Sequence, residues 1–408
     1  MQASLTNPTD TTNVASTPVV NVKNESTDTA KTANAPLRVV FLLTSMPVGG
    51  AETLLVNLID RLDKSRFAPE VCCLKEPGPL GEEMAKRIPV HHGMTRGKYD
   101  FAVLGKLTKL MRERNYDAVI TVGCGDKMFW GRLAAKRAGV PVIASALHST
   151  GWPDGVGRLN RMLTGITDAF IGVAESHGKH LVRGERFPEE KVFVIPNGVD
   201  TQRFSPNDEK AALRKKLELP QEGNIVTIVA ALRPEKNHRR FLDIANVVGE
   251  DCPETTFLIV GDGPERDGLE SYASEIGVSN QVRFLGNRSD IPEILSASDF
   301  FMLTSDNEAA PVSIMEAMSC GLPVVASDVG SVHEMVVQGK TGFVCDLDVG
   351  DFSRRLTKLI QDPELAATIS EAGRKHVMSN GSLEVMVEGY ENLIESIFAQ
   401  KQPAAKRR

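Results

Sequence analysis

From Leu37 onward, short apolar, β-branched runs alternate with stretches whose apolar positions recur every three or four residues. LRVVFLL precedes AETLLVNLIDRL, DAVITV precedes DKMFWGRLAAKRA, PVIASAL follows, and DAFIGVA precedes SHGKHLV. Runs apolar at every position suit strands buried on both faces, and their alternation with helices implies βαβ units around a parallel sheet. After KVFVIPNGVD the same grammar restarts: NIVTIVAAL, TTFLIVG, QVRFLG, DFFMLTS and LPVVASD each lead into a helix-like stretch. The pattern predicts an α/β chain of two doubly wound domains, 37–198 and 199–380, joined at Pro196-Asn197-Gly198. Proline fixes one dihedral there, and Asn-Gly tolerates positive ones. SLEVMVEGYENLIESIF predicts an amphipathic helix over 381–400, with Leu383, Val387, Tyr390, Leu393 and Ile394 on one stripe. Such a stripe needs a surface, and packing back across the domain joint would supply it. Residues 1–36, rich in Thr, Asn, Ser and Ala, lack the apolar block of a signal peptide and read as a disordered tail.

Composition adds limits. The 408 residues are 41% hydrophobic and 25% charged, ordinary for a soluble chain with a sizeable core. No run of about 18 apolar residues is present that would span a membrane, and the cysteine usage points to the cytoplasm. Six cysteines without a C-x-x-C pair fit buried thiols in a reducing compartment. The net charge of -6 is unevenly divided. Residues 37–198 carry 23 Lys and Arg against 17 Asp and Glu, whereas 199–408 carry 22 against 33. A basic first half suits an anionic substrate or peripheral contact with the inner face of a membrane, although solvated helix faces give the same count. No motif points to nucleic acid.

Four stretches carry candidate chemistry. NEAAPVSIMEAMSCGLPVVASD follows the strand-like DFFMLTS and sets Glu308 in the loop over a strand end, with Glu316 inside the helix that Pro311 helps to open. The free amides from Ala309 to Ser313, Pro311 excepted and Ala310 and Val312 included, suit a phosphate oxygen, assisted by the helix dipole. An ionised carboxylate accepting two vicinal hydroxyls suits a ribose, each charge-assisted bond contributing about 1.5–3 kcal/mol. Surface acids at a helix start account for such a pair equally well. In AALRPEKNHRRF the strand ends near Leu232 and Pro234 helps to launch a helix, so Arg233 and Lys236 occupy the strand-to-helix turn, where two cations would neutralise a pyrophosphate. A local pairing of Lys236 with Glu235 is the plainer alternative. SMPVGGAETLLVNLI places Gly49 and Gly50 between a strand and its helix, letting backbone approach a ligand, but not at the G-x-G-x-x-G spacing. His148, in SALHSTGWPDG, follows a strand where an imidazole would donate to a sugar hydroxyl.

Other signals fail. QGKTG around Lys340 lacks the first glycine of a P-loop. His91 and His92 have no Cys or acidic partner at a zinc spacing, and the acids of Asp346-Leu347-Asp348 open a helix-like stretch as caps. No metal site is expected.

Taken together, PVGGAE, VIPNGVDTQRF, RPEKNH, IVGDGPER, VRFLGNRSDIPEILSASDFFMLTS and the double-glutamate element resemble the retaining GT-B glycosyltransferases of family 4. The resemblance runs in order from Leu37 to about Phe398. It implies two Rossmann-like domains facing across a cleft, 37–198 for the acceptor and 199–380 for a nucleotide-sugar donor. It further implies that Glu316 holds the donor ribose, Glu308 the donor sugar, and Arg233 with Lys236 the diphosphate. Gly50 would lie near the phosphates or acceptor, and His148 near the transferred sugar. Two departures stand out: the family's G-R-L triplet is here Ala230-Ala231-Leu232, and Ala-Ala-Pro follows Glu308 where many members have Gly-Phe-Gly. The implied reaction moves a hexosyl unit, with retained configuration and no obligatory metal or cofactor, to a hydroxyl acceptor in polysaccharide or glycolipid assembly, the acceptor being a candidate lipid-linked molecule. A nucleotide-sugar 2-epimerase of the same fold, or a non-catalytic nucleotide-sugar-binding subunit, are the alternatives.

Overall fold

The computed structural model describes residues 35–97, 100–123, 125–147 and 157–401. Seven parallel strands form the first sheet: β1 (Leu37–Leu43), β2 (Phe67–Cys73), β3 (Val90–His91), β4 (Ala118–Val122), β5 (Val142–Ala146), β6 (Ala169–Gly172) and β7 (Val192–Val194), in the order β3-β2-β1-β4-β5-β6-β7. Six more form the second: β8 (Ile225–Val229), β9 (Thr256–Val260), β10 (Val282–Gly286), β11 (Phe300–Leu303), β12 (Val324–Ser327) and β13 (Phe343–Cys345), in the order β10-β9-β8-β11-β12-β13. Each sheet reverses its winding once, between β1 and β4 and between β8 and β11. Such switch points open a crevice beyond the strands' carboxyl ends.

Period-two alternation divides the cores. Along β1, Val39, Phe41 and Leu43 face one layer of helices, and Val40 and Leu42 the other. Glu70 interrupts the apolar run of β2, the strand next to the edge strand β3. Its burial alone would raise the carboxyl, but hydrogen bonds from His91, Arg114 and Tyr116 hold it down at about 2. His91 is thereby committed to Glu70, at 2.9 Å.

The chain crosses between the domains twice, and the crossings lie side by side. Val199 N–H donates to the Gly381 carbonyl (2.8 Å), and Leu383 N–H to the Val199 carbonyl (2.9 Å). A β-carbon on Gly198 would stand 2.7 Å from the Leu383 Cα, so this close approach needs glycine. The last helix, Leu383–Lys401, then returns to the first domain. Leu383, Met386, Val387, Tyr390, Leu393, Ile394 and Ile397 join the core beneath β1, β4 and β5. Arg66 bonds Glu391 (2.8 Å) and Glu395 (2.5 Å) on its flank, and Lys401 reaches Asp168 (2.6 Å) at its end.

Two local expectations differ from the structure. β8 stops at Val229, three residues before Leu232, because the chain leaves the ladder to hydrogen-bond the Asp262–Glu265 loop. Pro234 opens only a short 3-10 turn, Pro234–Lys236; the long helix His238–Asp251 starts after Asn237, whose φ of 46° breaks the path and whose side chain caps it.

Candidate active site

The second-domain crevice is built from the loops that leave β8 and β11. After β8, the Leu232 amide donates to the Asp262 carbonyl (3.0 Å) and the Glu265 amide to the Leu232 carbonyl (3.2 Å). Gly263 packs so tightly that a β-carbon there would lie 2.4 Å from the Leu232 oxygen. The Ala231 carbonyl accepts from the Arg233 amide (2.8 Å), which folds the chain back and turns Arg233 outward. Its guanidinium is exposed and has no ion-pair or hydrogen-bond partner among the described residues.

Lys236 is brought to Glu308. Its ammonium donates to Glu308 Oε1 at 2.5 Å, and the Ser305 hydroxyl donates to the same oxygen at 2.7 Å. The side chain of Glu308 is only 9% exposed, so its second oxygen is aimed by a fixed, charge-assisted clamp. The local pairing of Lys236 with Glu235 does not occur among the described residues. Supporting this clamp, Arg240 binds the Thr304 carbonyl (2.8 Å) and Asp306 (2.7 Å), and Asn237 also donates to Asp306 (3.0 Å). Ser305, Asn237, Arg240 and Asp306 escaped the sequence reading. The usable signal was the polar run closing an otherwise apolar strand.

The loop beyond Glu308 keeps its carbonyls occupied. Ala310 O accepts from the Asn197 side chain (3.0 Å) and Ala309 O from the Ser331 amide (3.1 Å). Its N–H groups are left over: those of Ala309, Ala310, Val312 and Ser313 donate to no described residue. Pro311 is the N-cap rather than part of the first turn, and the helix runs from Val312 to Ser319 with no side-chain cap. An anion is the natural partner for such a run. Glu316 sits one turn into this helix, half-buried, accepting no hydrogen bond from a described residue. Desolvation pushes its carboxyl up to about 7, against the pull of Arg203.

In the first domain, Gly49 precedes and Gly50 begins the helix Gly50–Arg61. Gly49 is extended at φ -163°, a conformation any residue adopts, and a β-carbon there would meet only the movable end of the Glu52 side chain, Oε2 at 2.6 Å, while at Gly50 it would meet nothing within 4 Å, so neither position requires glycine. Beside this turn lies a pocket of about 150 Å³ lined by Thr44, Ser45, Pro47, Glu52, Gly123 and Lys127. No described contact joins the glycines to Lys236 or Glu308. His148 lies outside the described residues.

Two parallel-sheet domains with loops gathered at their switch points define the GT-B class of two-domain α/β protein. Solved structures share that fold. Anabaena HepE in complex with UDP and glucose aligns with a TM-score of 0.77 at 23% identity, covering 88% of this chain and 100% of that one. A glycosyltransferase of Rickettsia africae ESF-5 aligns at 0.79 and 21%, covering 89% and 98%.

The chain belongs to the glycosyltransferases of group 1 and family 4. The family model for glycosyl transferases group 1 matches residues 209–376, and that for glycosyltransferase family 4 matches residues 48–203. The UDP-Gal:alpha-D-GlcNAc-diphosphoundecaprenol alpha-1,3-galactosyltransferase of Escherichia coli is 27% identical over 385 residues, 90% of this chain and 96% of that one. A GDP-mannose-dependent monoacylated alpha-(1-6)-phosphatidylinositol monomannoside mannosyltransferase of Corynebacterium glutamicum is 30% identical over 308 residues, 71% and 79%. The protein is thus a glycosyltransferase, and both of these relatives are named for glycolipid substrates.

Proposed function

We propose that the protein transfers a hexosyl unit from a nucleotide-diphosphate sugar to a hydroxyl acceptor, with retention of anomeric configuration. The observation that carries this reading is the Lys236–Glu308 clamp beside a run of unpartnered amides, with Glu316 on the helix that follows. In the proposed arrangement the diphosphate lies over the amides of Ala309, Ala310 and Val312. Glu316 accepts from the ribose hydroxyls, and Glu308 directs its second oxygen at the donor sugar. Arg233, at the start of the turn that carries Lys236, reaches over to the diphosphate in place of the family's arginine, which is Ala231 here. Gly49 and Gly50 admit the phosphates or acceptor from the other domain, and His148 donates to the transferred sugar.

As the C1–O bond to phosphate breaks, its electron pair stays on the leaving diphosphate. The acceptor oxygen bonds to C1 on the same face, and its proton passes to the departing phosphate oxygen. Positive charge and oriented amides at that oxygen lower the barrier because charge grows there in the transition state. Lys236 and the amides supply it from protein groups, and we propose no obligatory metal or cofactor.

For the acceptor we propose a lipid-linked molecule met by a cytoplasmic protein lying peripherally on the inner membrane face. The basic first domain and its exposed Phe101, packed edge-on to Trp130 at 6.0 Å, support this. No helix among the described residues is long and apolar enough to cross a membrane.

The test is a thermal-shift panel of UDP, GDP and ADP, followed by turnover with the sugar donor of whichever binds. One nucleotide should raise the melting temperature. Lys236→Ala should lower kcat about 100-fold while changing the donor KM much less. No stabilisation by any of the three, or an unchanged kcat in the variant, would remove the reading.

A further inference from the structure

The helix Glu175–Arg183 of the first domain begins without a cap of its own. Its N-cap residue is Ala174, which offers no side-chain acceptor. The acceptor comes from the other domain. Glu334 places Oε2 2.7 Å from the Glu175 amide and Oε1 2.6 Å from the Ser176 amide, so one carboxylate satisfies two orphan donors at the positive end of the helix. Beside it, the hydroxyls of Ser176 and Ser331 meet across the cleft at 2.8 Å. The His333 ring lies 4.0 Å from Glu334 and also faces Asp328 at 3.5 Å.

The second-domain half of this contact is pressed against the donor loop. The Ser331 amide donates to the Ala309 carbonyl at 3.1 Å. Gly330, at φ +55°, packs so closely that a β-carbon would stand 1.7 Å from the Glu308 carbonyl oxygen. A short, stiff segment thus touches the first domain through Ser331 and Glu334, and the Glu308–Ala309 backbone through Gly330 and Ser331. Asn197, at the joint, holds the next residue, Ala310.

We propose that Glu334 is a positioning residue for glycosyl transfer: by capping the first-domain helix across the cleft, it seats the Glu308 loop when the two domains are closed. Opening the cleft strips the carboxylate of both amides and the Ser331 hydroxyl of its partner, releasing the loop from one side. Closure and the placement of Glu308 are therefore one event. This ordering keeps the donor sugar unsecured until the cleft is shut and water excluded. The inference rests on the nucleotide-sugar reading of the cleft.

The test uses the full chain carrying Ser176→Cys and Ser331→Cys, with and without Glu334→Ala. Under mild oxidant the cysteine pair should cross-link readily, and more slowly once Glu334 is alanine. This readout needs no nucleotide, so it separates failure of the latch from failure of the proposed activity. With UDP, GDP or ADP bound, whichever stabilises the unmodified protein, the oxidised pair should release nucleotide at least about ten-fold more slowly than the reduced pair. In the otherwise unmodified chain, Glu334→Ala should lower kcat about 10- to 100-fold with little change in donor KM, and Glu334→Gln, keeping one acceptor oxygen, should fall between. A pair that does not cross-link, a cross-linking rate indifferent to Glu334, equal release from oxidised and reduced protein, or a Glu334→Ala variant that loses melting temperature but not kcat would each overturn the proposal.

Discussion

Glu316 shows how one side chain's surroundings become a measurable property. Its carboxyl is raised to about 7 from 4.5 because neighbouring side chains remove its water while only Arg203 opposes them. Between those two pH values the folded protein keeps a proton that the unfolded chain has released. Stability of the free protein therefore falls as pH rises from 4.5 to 7, stays lower above 7, and is unpenalised below 4.5. Glu316→Gln should flatten that slope and stabilise the ligand-free protein at pH 8 by about 2–3 kcal/mol. Denaturant unfolding at pH 4.5 and pH 8 checks it, and an equal change at both would show that Glu316 is not the group responsible. In the proposed arrangement ribose hydroxyls would donate to the ionised form, so nucleotide binding near pH 6.5 should release a proton. Titration calorimetry in buffers of different ionisation enthalpy reads this directly. What sequence conveyed here was the residue type and its place on a helix after a strand. It could not convey Arg203, which lies far off in the chain, nor the 72-residue separation that closes between Lys236 and Glu308. Electrostatic partners across such distances are set by tertiary packing, whereas strand and helix periods are local.

At the scale of elements, parallel strands were legible because burial on both faces leaves continuous apolar runs, and their alternation with helices permits few arrangements. Ends were harder. A strand can stop early when another loop offers its backbone a better partner, as Asp262 does for Leu232. The terminal helix Leu383–Lys401 illustrates the opposite case, an element whose amphipathic stripe is plain but whose surface belongs to a distant segment. Leu393 is 2% exposed in the first-domain core, alongside the helix Gly50–Arg61. Leu393→Ala should cost about 2–5 kcal/mol through lost transfer energy and a residual cavity. The loss should fall on unfolding of the first domain, followed by hydrogen exchange in β1 and β4, while β8 and β11 keep their protection. Loss of protection in the second sheet alone would mean that the helix stabilises the domain it leaves rather than the one it covers.

Over the whole molecule, charge and apolar exposure are distributed in the same sense. The first domain's 23 basic against 17 acidic residues contrast with the 22 against 33 that follow. Phe101 is 71% exposed, in edge contact with Trp130, which in turn packs against Phe129 at 5.0 Å. Near an anionic membrane each Lys or Arg contributes about 1 kcal/mol, and exposed aromatic rings settle at the headgroup level, so both terms act on the same domain. The acidic second domain is repelled, which would orient the cleft rather than merely attract the protein. The full chain should float with phosphatidylglycerol-rich vesicles at low salt and be released at about 1 M salt, where screening shortens to about 3 Å. Phe101→Ser should weaken flotation even at low salt, since it removes apolar contact without touching the charge. Binding to phosphatidylcholine as strong as to phosphatidylglycerol would assign the attachment to apolar contact alone, and no flotation with either would leave the charge asymmetry as solvated helix faces.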